Sequence, residues 1–156
     1  MNRILDHLYL GASSDLTDAT SFASDQRALA PCTAVLTLCE VAPPPDHGLL
    51  RVHYPIPDER YLPILAWDTA VCLIAAWLRA GETLLVHCRL GVSRSPAVVA
   101  AYLAWRAHDP DPETAMAFLK TLRPIVNTHP ETWRGVTDWW DSHPRERLKE
   151  AYAPGM

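Results

Sequence analysis

Apolar residues fall along this chain in short runs and helical stripes that alternate. Arg3 to Gly11 sets Ile4, Leu8 and Leu10 on one side and closes on a glycine, which predicts a strand. Ser13 to Ala30 carries Asp, Ser and Thr in its first turn, with Phe22 and Leu29 later, and predicts a modest helix. Thr33 to Cys39 is a short apolar run of the kind that forms buried strands, and Ala42-Pro43-Pro44-Pro45 cannot extend a sheet beyond it. Leu49 to Tyr54 is a further candidate strand, followed by the turn Pro55-Ile56-Pro57-Asp58.

Trp67, Val71, Ile74 and Leu78 recur at i, i+4, i+7 and i+11 ahead of Gly81, so the spacing predicts a helix with a glycine C-cap. Thr83 to Val86 reads as a strand running directly into His87-Cys88. Ser95-Pro96 predicts the next helix, with Ser95 as N-cap, Pro96 at the first helical position, and Val98, Val99, Tyr102 and Leu103 buried. Asp111-Pro112-Glu113 opens another with the stripe Ala115, Phe118, Leu119 and Leu122. A last helix is expected over Glu131 to Asp141, with Trp133, Val136 and Trp140 inward and one of Trp139 and Trp140 exposed. Strands alternating with helices predict an α/β fold, a mostly parallel central sheet flanked by helices in three layers. One domain spanning 1–156 is expected, with a core from about residue 4 to 140 and a helical tail over 141–156.

Composition narrows the function classes. A formal charge of −4 gives no whole-molecule attraction to nucleic acid or anionic membrane, so any anion must be caught locally. The most apolar run, Ala70 to Leu78, falls well short of the roughly 20 residues that cross a bilayer. The charged start Met1-Asn2-Arg3 does not read as a secretory signal. Cys32, Cys39, Cys72 and Cys88 form no CxxC pair and no metal-ligand spacing with the histidines. Free thiols in a reducing, cytoplasmic setting are expected, with no metal or cofactor.

The stretch Val86-His87-Cys88-Arg89-Leu90-Gly91-Val92-Ser93-Arg94-Ser95 carries the chemistry. A strand that turns tightly into a helix aims backbone N–H groups at one point on the positive end of the helix dipole. Such a nest, here from Arg89, Leu90, Gly91, Val92 and Ser93, suits a phosphate dianion, and the same field stabilises a thiolate on Cys88. Gly91 permits a loop conformation that a side chain would oppose. Arg94 offers a planar fork for two phosphate oxygens. Ser95 has a hydroxyl to donate to the sulfur. Taken singly, Cys88 would be a packed thiol and Arg94 a surface residue; the joint pattern with His87 and Gly91 outweighs that.

This loop resembles the HCxxGxxRS signature of the cysteine-based protein tyrosine phosphatases. Leu8-Tyr9-Leu10-Gly11 is similar to the opening strand of their dual-specificity branch, Val35-Leu36-Thr37-Leu38 to its next core strand, and Arg123-Pro124 to the Arg-Pro after its penultimate helix. Ile125-Val126-Asn127-Thr128-His129 departs from the Pro-Asn that usually follows there. The resemblance implies hydrolysis of phosphate monoesters on proteins, phosphotyrosine and also phosphoserine or phosphothreonine, through a phosphocysteine on Cys88. It implies a general acid about thirty residues before the nucleophile. Asp58 lies 30 positions before Cys88 in Tyr54-Pro55-Ile56-Pro57-Asp58, with Glu59 the fallback. His87 is counted with the phosphate-binding residues, where it is expected to orient the loop rather than to react.

Alternatives remain at this point. A phosphoinositide phosphatase is disfavoured because the loop lacks Lys, and an RNA 5′-end phosphatase because the chain lacks a basic stripe. A phosphate-binding module without turnover would be expected to have lost Cys88 or Arg94. Cys39 ends a strand expected beside that of Cys88, so a Cys39–Cys88 redox bridge competes with a plain packed thiol.

Overall fold

The computed structural model describes residues 1–16, 31–42, 48–107 and 111–149. The predicted helix over 13–30 is entered at Ser13 and is helical through Leu16; its remainder, Pro43-Pro44-Pro45, His108 and the tail over 150–156 lie outside the described residues. Five strands form one sheet: β1 Asn2–Leu5, β2 Leu8–Ala12, β3 Ala34–Thr37, β4 Leu50–His53 and β5 Leu84–Cys88, in the order β1-β2-β5-β3-β4. All neighbours run parallel except β1 and β2.

That exception corrects the reading of Arg3 to Gly11 as a single strand. Asn2 pairs with Leu10 and Arg3 with Tyr9 in an antiparallel hairpin. The polar pair Asp6-His7 forms the turn, where Arg3 Nη2 donates to Asp6 Oδ1 at 2.6 Å. A polar break inside an apolar run was the signal for two strands.

Alternation along the parallel strands divides the core. Leu8, Leu10, Ala34, Leu36, Leu84 and Val86 face the larger apolar cluster, built with α1 (Ile64–Arg79), α2 (Arg94–Arg106), α3 (Pro112–Leu122) and α4 (Pro130–Asp141). Val35 and Leu85 face the other side, where Leu16, Cys32, Met1, Tyr9 and Leu49 cover them. A short α5, Pro144–Arg147, follows.

Local chemistry sets most helix ends. In α1, Gly81 N–H bonds to Leu78 O and Glu82 N–H to Trp77 O, a Schellman closure that uses Gly81 at φ +83°. Asp111 caps α3 by accepting Thr114 N–H at 2.8 Å. Two stripes differ from expectation. Met116 replaces Phe118 on the buried face of α3, and Phe118 is exposed. In α4 Trp139 is buried and donates Nε1–H to Asp68 at 2.8 Å, whereas Trp133 and Trp140 are half-buried. Asp68 on α1 selects Trp139, a polar attraction across helices that spacing along α4 does not reveal. Every residue of α2 from Arg94 to Trp105 is buried, so α2 is the axis of the helical layer.

Candidate active site

The carboxyl ends of β2, β5 and β3 meet at one edge, with Ala12 beside Cys88 and Thr37 beside His87. Open α/β sheets bind ligands at such edges. There β5 ends on Cys88, residues 89–93 form a loop, and α2 begins at Arg94. This moves the predicted cap by two positions. The N-cap is Ser93, Ser95 lies buried in the first turn, and Pro96 is the third helical residue. Ser93 does not cap with its side chain; its Oγ accepts His129 N–H at 3.0 Å instead. The amides at the helix start are thereby left for an anion.

The loop carbonyls explain its shape, because each is held from outside. Cys88 O accepts from Ser13 Oγ at 3.3 Å and from His87 Nδ1 at 3.2 Å, and Arg89 O accepts Ser13 N–H at 3.1 Å. Leu90 O and Gly91 O accept from Arg123, through Nη2 at 3.2 Å and Nε at 2.9 Å. Val92 O takes Asn127 N–H at 2.8 Å, and Ser93 O takes Thr128 Oγ1 at 3.4 Å and Ala97 N–H at 3.1 Å. No backbone amide from Arg89 to Ser93 donates a hydrogen bond to another described residue. With every carbonyl tied outward, those donors form an anion nest. Gly91 sits at φ +66°, and a Cβ there would come within 2.6 Å of Gly11 O and of Arg123 Nη2. Both the conformation and the close approach require glycine.

Cys88 is buried beneath this nest, with Sγ 3.2 Å from Ser95 Oγ, which also lies 3.4 Å from Gly11 O. The hydroxyl has one hydrogen, so it can serve either the sulfur or the carbonyl, and a thiolate is the stronger acceptor. Beside them, His87 Nδ1 must donate to Cys88 O, which leaves Nε2 to accept from Thr37 Oγ1 at 2.7 Å. Burial pushes the His87 imidazole below its ordinary range, in keeping with this neutral form. His87 therefore orients the strand end and adds no charge.

Arg94 is 3% exposed. Its Nη1 donates to Glu40 Oε1 at 2.9 Å and to Ile56 O at 3.1 Å. Its Nε lies 3.6 Å from Asp58 Oδ1. The Nε–Nη2 edge is the fork that an anion can take, and Asp58 is the neighbour it would displace. A backbone N–H and the Arg94 guanidinium hold the Glu40 carboxyl below the usual carboxylate range.

Cys88, Arg94, Arg89, Asp58 and Glu59 line one cavity of about 330 Å³, closed on its far side by Asn127, Thr128, His129 and Pro130. A larger groove of about 810 Å³ lies at the opposite end of the strands, against Arg3, His7, Arg79 and Phe118, and holds none of the predicted site residues. Among the described residues no cluster of His, Cys, Asp or Glu could hold a metal ion. All four cysteines are free; Cys39 packs with Sγ 3.6 Å from Ser13 Oγ.

A family model for the dual specificity phosphatase catalytic domain matches residues 8–142 of this chain. The chain belongs to that family. It is 33% identical to mouse dual specificity protein phosphatase 2 over 80% of this chain, and spans only 38% of that relative's length. It is 30% identical to human dual specificity phosphatase 28, over 99% of this chain and 85% of the relative. The crystal structure of DUSP15 superposes with a TM-score of 0.78 at 25% identity, covering 97% of this chain and 96% of that one.

The candidate loop and Asp58 singled out from the dual specificity phosphatase resemblance come together at one cavity, but what holds them there was not foreseen. Glu40 and the Ile56 carbonyl behind Arg94, and the wall from Asn127 to His129, had no signature of their own. Arg123 was visible as part of an Arg-Pro pair; its grip on the loop carbonyls was not.

Proposed function

We propose that this chain is a single catalytic domain that hydrolyses phosphate monoesters on protein side chains through a phosphocysteine on Cys88. The observation that carries this reading is that Cys88, Arg94 and Asp58 line one small cavity roofed by unpaired amides. The Cys88 thiolate attacks phosphorus in line, and its electron pair forms the S–P bond. The Arg94 fork and the amides of residues 89–93 take the three equatorial oxygens as charge builds on them. Asp58 protonates the departing oxygen, then takes a proton from the water that attacks phosphocysteine. Ser95 donates to the sulfur as it leaves in that second step. Asp58 is favoured over Glu59, which lines the same cavity, because of the two it is Asp58 that comes within ion-pair distance of Arg94, at 3.6 Å.

Phosphotyrosine is the principal substrate we infer, with phosphoserine and phosphothreonine accepted in the same open cavity. A phosphorylated protein fits better than nucleic acid or membrane lipid, since Arg89 is the only exposed Arg or Lys lining the cavity. No helix among the described residues is long and apolar enough to cross a membrane, and a free thiolate nucleophile suits the cytoplasm. Rapid-mixing kinetics with an aryl phosphate test the reading. The expected result is a burst of aryl alcohol, lost in Cys88→Ser; Asp58→Ala should lose activity most on substrates with poor leaving groups. Absence of turnover by the wild type would reject it.

A further inference from the structure

Leu90 and Ile125 are aliphatic side chains left 65% and 56% exposed. Leu90 lines the cavity, and Ile125 lies on the neighbouring segment just before its far wall. Arg123 Nη2 donates to Leu90 O at 3.2 Å and Asn127 N–H to Val92 O at 2.8 Å, so the segment carrying Ile125 is bound alongside the loop at both ends. Neither side chain belongs to an apolar cluster of the core. The fold therefore gives no reason for two large apolar groups beside an anion pocket. Elsewhere around the mouth stand exposed Asp58 and Glu59, with Glu40 against Arg94. The exposed cation lining the cavity is Arg89.

We propose that Leu90 and Ile125 form a reading surface for the residue next to the phosphorylated side chain, selecting a phosphoprotein segment with an aliphatic residue there. This rests on the Cys88 loop being a phosphatase site. Leu90 lines that site and the segment of Ile125 is hydrogen-bonded to the same loop, so a bound phosphoresidue brings its chain neighbours toward both. An aliphatic neighbour leaves water against Leu90 and Ile125. An acidic neighbour, or a second phosphate, finds apolar groups there and the exposed carboxylates of Asp58 and Glu59 beyond them, offset by the single cation Arg89, and repulsion excludes what attraction does not choose. The segments favoured are those phosphorylated once, in an apolar context.

Tyrosine-phosphorylated peptides that differ only in the flanking residues, with Leu, Glu or phosphothreonine, provide the test. Wild type, Ile125→Ser and Ile125→Lys are assayed on these and on an aryl phosphate, which has no flanking residues. The wild type should favour the Leu peptide over the Glu peptide by about tenfold in kcat/KM, the order expected when half an aliphatic side chain leaves water. Ile125→Lys should bring that ratio close to one while aryl phosphate turnover stays near wild type. Ile125→Ser should lower the ratio through the Leu peptide alone. Equal rates on the peptides, or an unchanged ratio in Ile125→Lys, would overturn the proposal while leaving the phosphatase reading intact. Failure to hydrolyse the aryl phosphate would instead reject that reading, and the rim proposal with it.

Discussion

Replacing Arg123 tests whether the anion nest is shaped from behind. The guanidinium makes three bonds at once: to Gly91 O at 2.9 Å, to Leu90 O at 3.2 Å and to Asn2 Oδ1 at 2.8 Å. Arg123→Ala frees all three acceptors. Water can reach the Leu90 carbonyl, whereas Gly91 is buried and its carbonyl is left without a partner. Charged hydrogen bonds and an orphaned carbonyl together give a loss of about 2–3 kcal/mol. For a domain of this size that corresponds to a fall in Tm of roughly 4–12 °C. The effect on rate has a separate origin. Once the carbonyls can turn, the amides lose alignment, and one misplaced donor of this type costs about 10²-fold in turnover. Thermal unfolding and aryl phosphate kinetics on Arg123→Ala and Arg123→Lys separate the causes. Lys keeps the charge but cannot serve three acceptors from one plane, so it should recover little of the lost rate. Full recovery by Lys would show that charge, not the fork, matters. An Arg123→Ala enzyme within about twofold of wild type, with Tm lowered by less than about 1 °C, would refute the outward-held loop altogether.

Gly91→Ala should abolish turnover and lower stability, because a Cβ there meets Gly11 O and Arg123 Nη2 at 2.6 Å on a backbone at φ +66°; circular dichroism melts and activity check both effects. Ser95→Ala removes the hydroxyl 3.2 Å from Cys88 Sγ, and should slow the steady state by about 10²-fold while preserving the initial burst, read by stopped flow. His87 carries a pH prediction. Its folded pKa lies below the unfolded value of 6.5, so the unfolded chain takes the proton first as pH falls. The stabilisation is complete above that value and declines as pH drops from it toward the folded pKa. Urea midpoints should fall between about pH 7.5 and 5.5, and His87→Gln should flatten that slope.

Local rules carried much of this fold because its central strands are short, apolar and buried on both sides. Val35-Leu36 and Leu85-Val86 need no alternation to be read as strands. Two of the misreadings come from partners outside the helix concerned. Trp139 faces inward because Asp68, on another helix, accepts its N–H. Ser95 is no cap because the amides at that helix start serve the nest, and its hydroxyl serves the sulfur. Phe118 fits a helical stripe, yet α3 turns Met116 inward beside it. At the site, the Cys-to-Arg spacing was legible because strand, loop and helix are consecutive. Glu40, Ile56 and Asn127 reach the same place through three separate segments, and no spacing rule connects them.

The loop's carbonyl partners have a consequence for how such a domain can diverge. In the proposed site main-chain amides would take the ligand while distant residues fix the direction of the loop carbonyls, so the side chains of Arg89 and Leu90 are spared from that task and project into solvent. Substitutions at those two positions can redraw what arrives at the pocket without rebuilding the pocket itself. Chemistry and partner choice thus vary on separate residues, which lets one scaffold acquire new clients in single mutational steps.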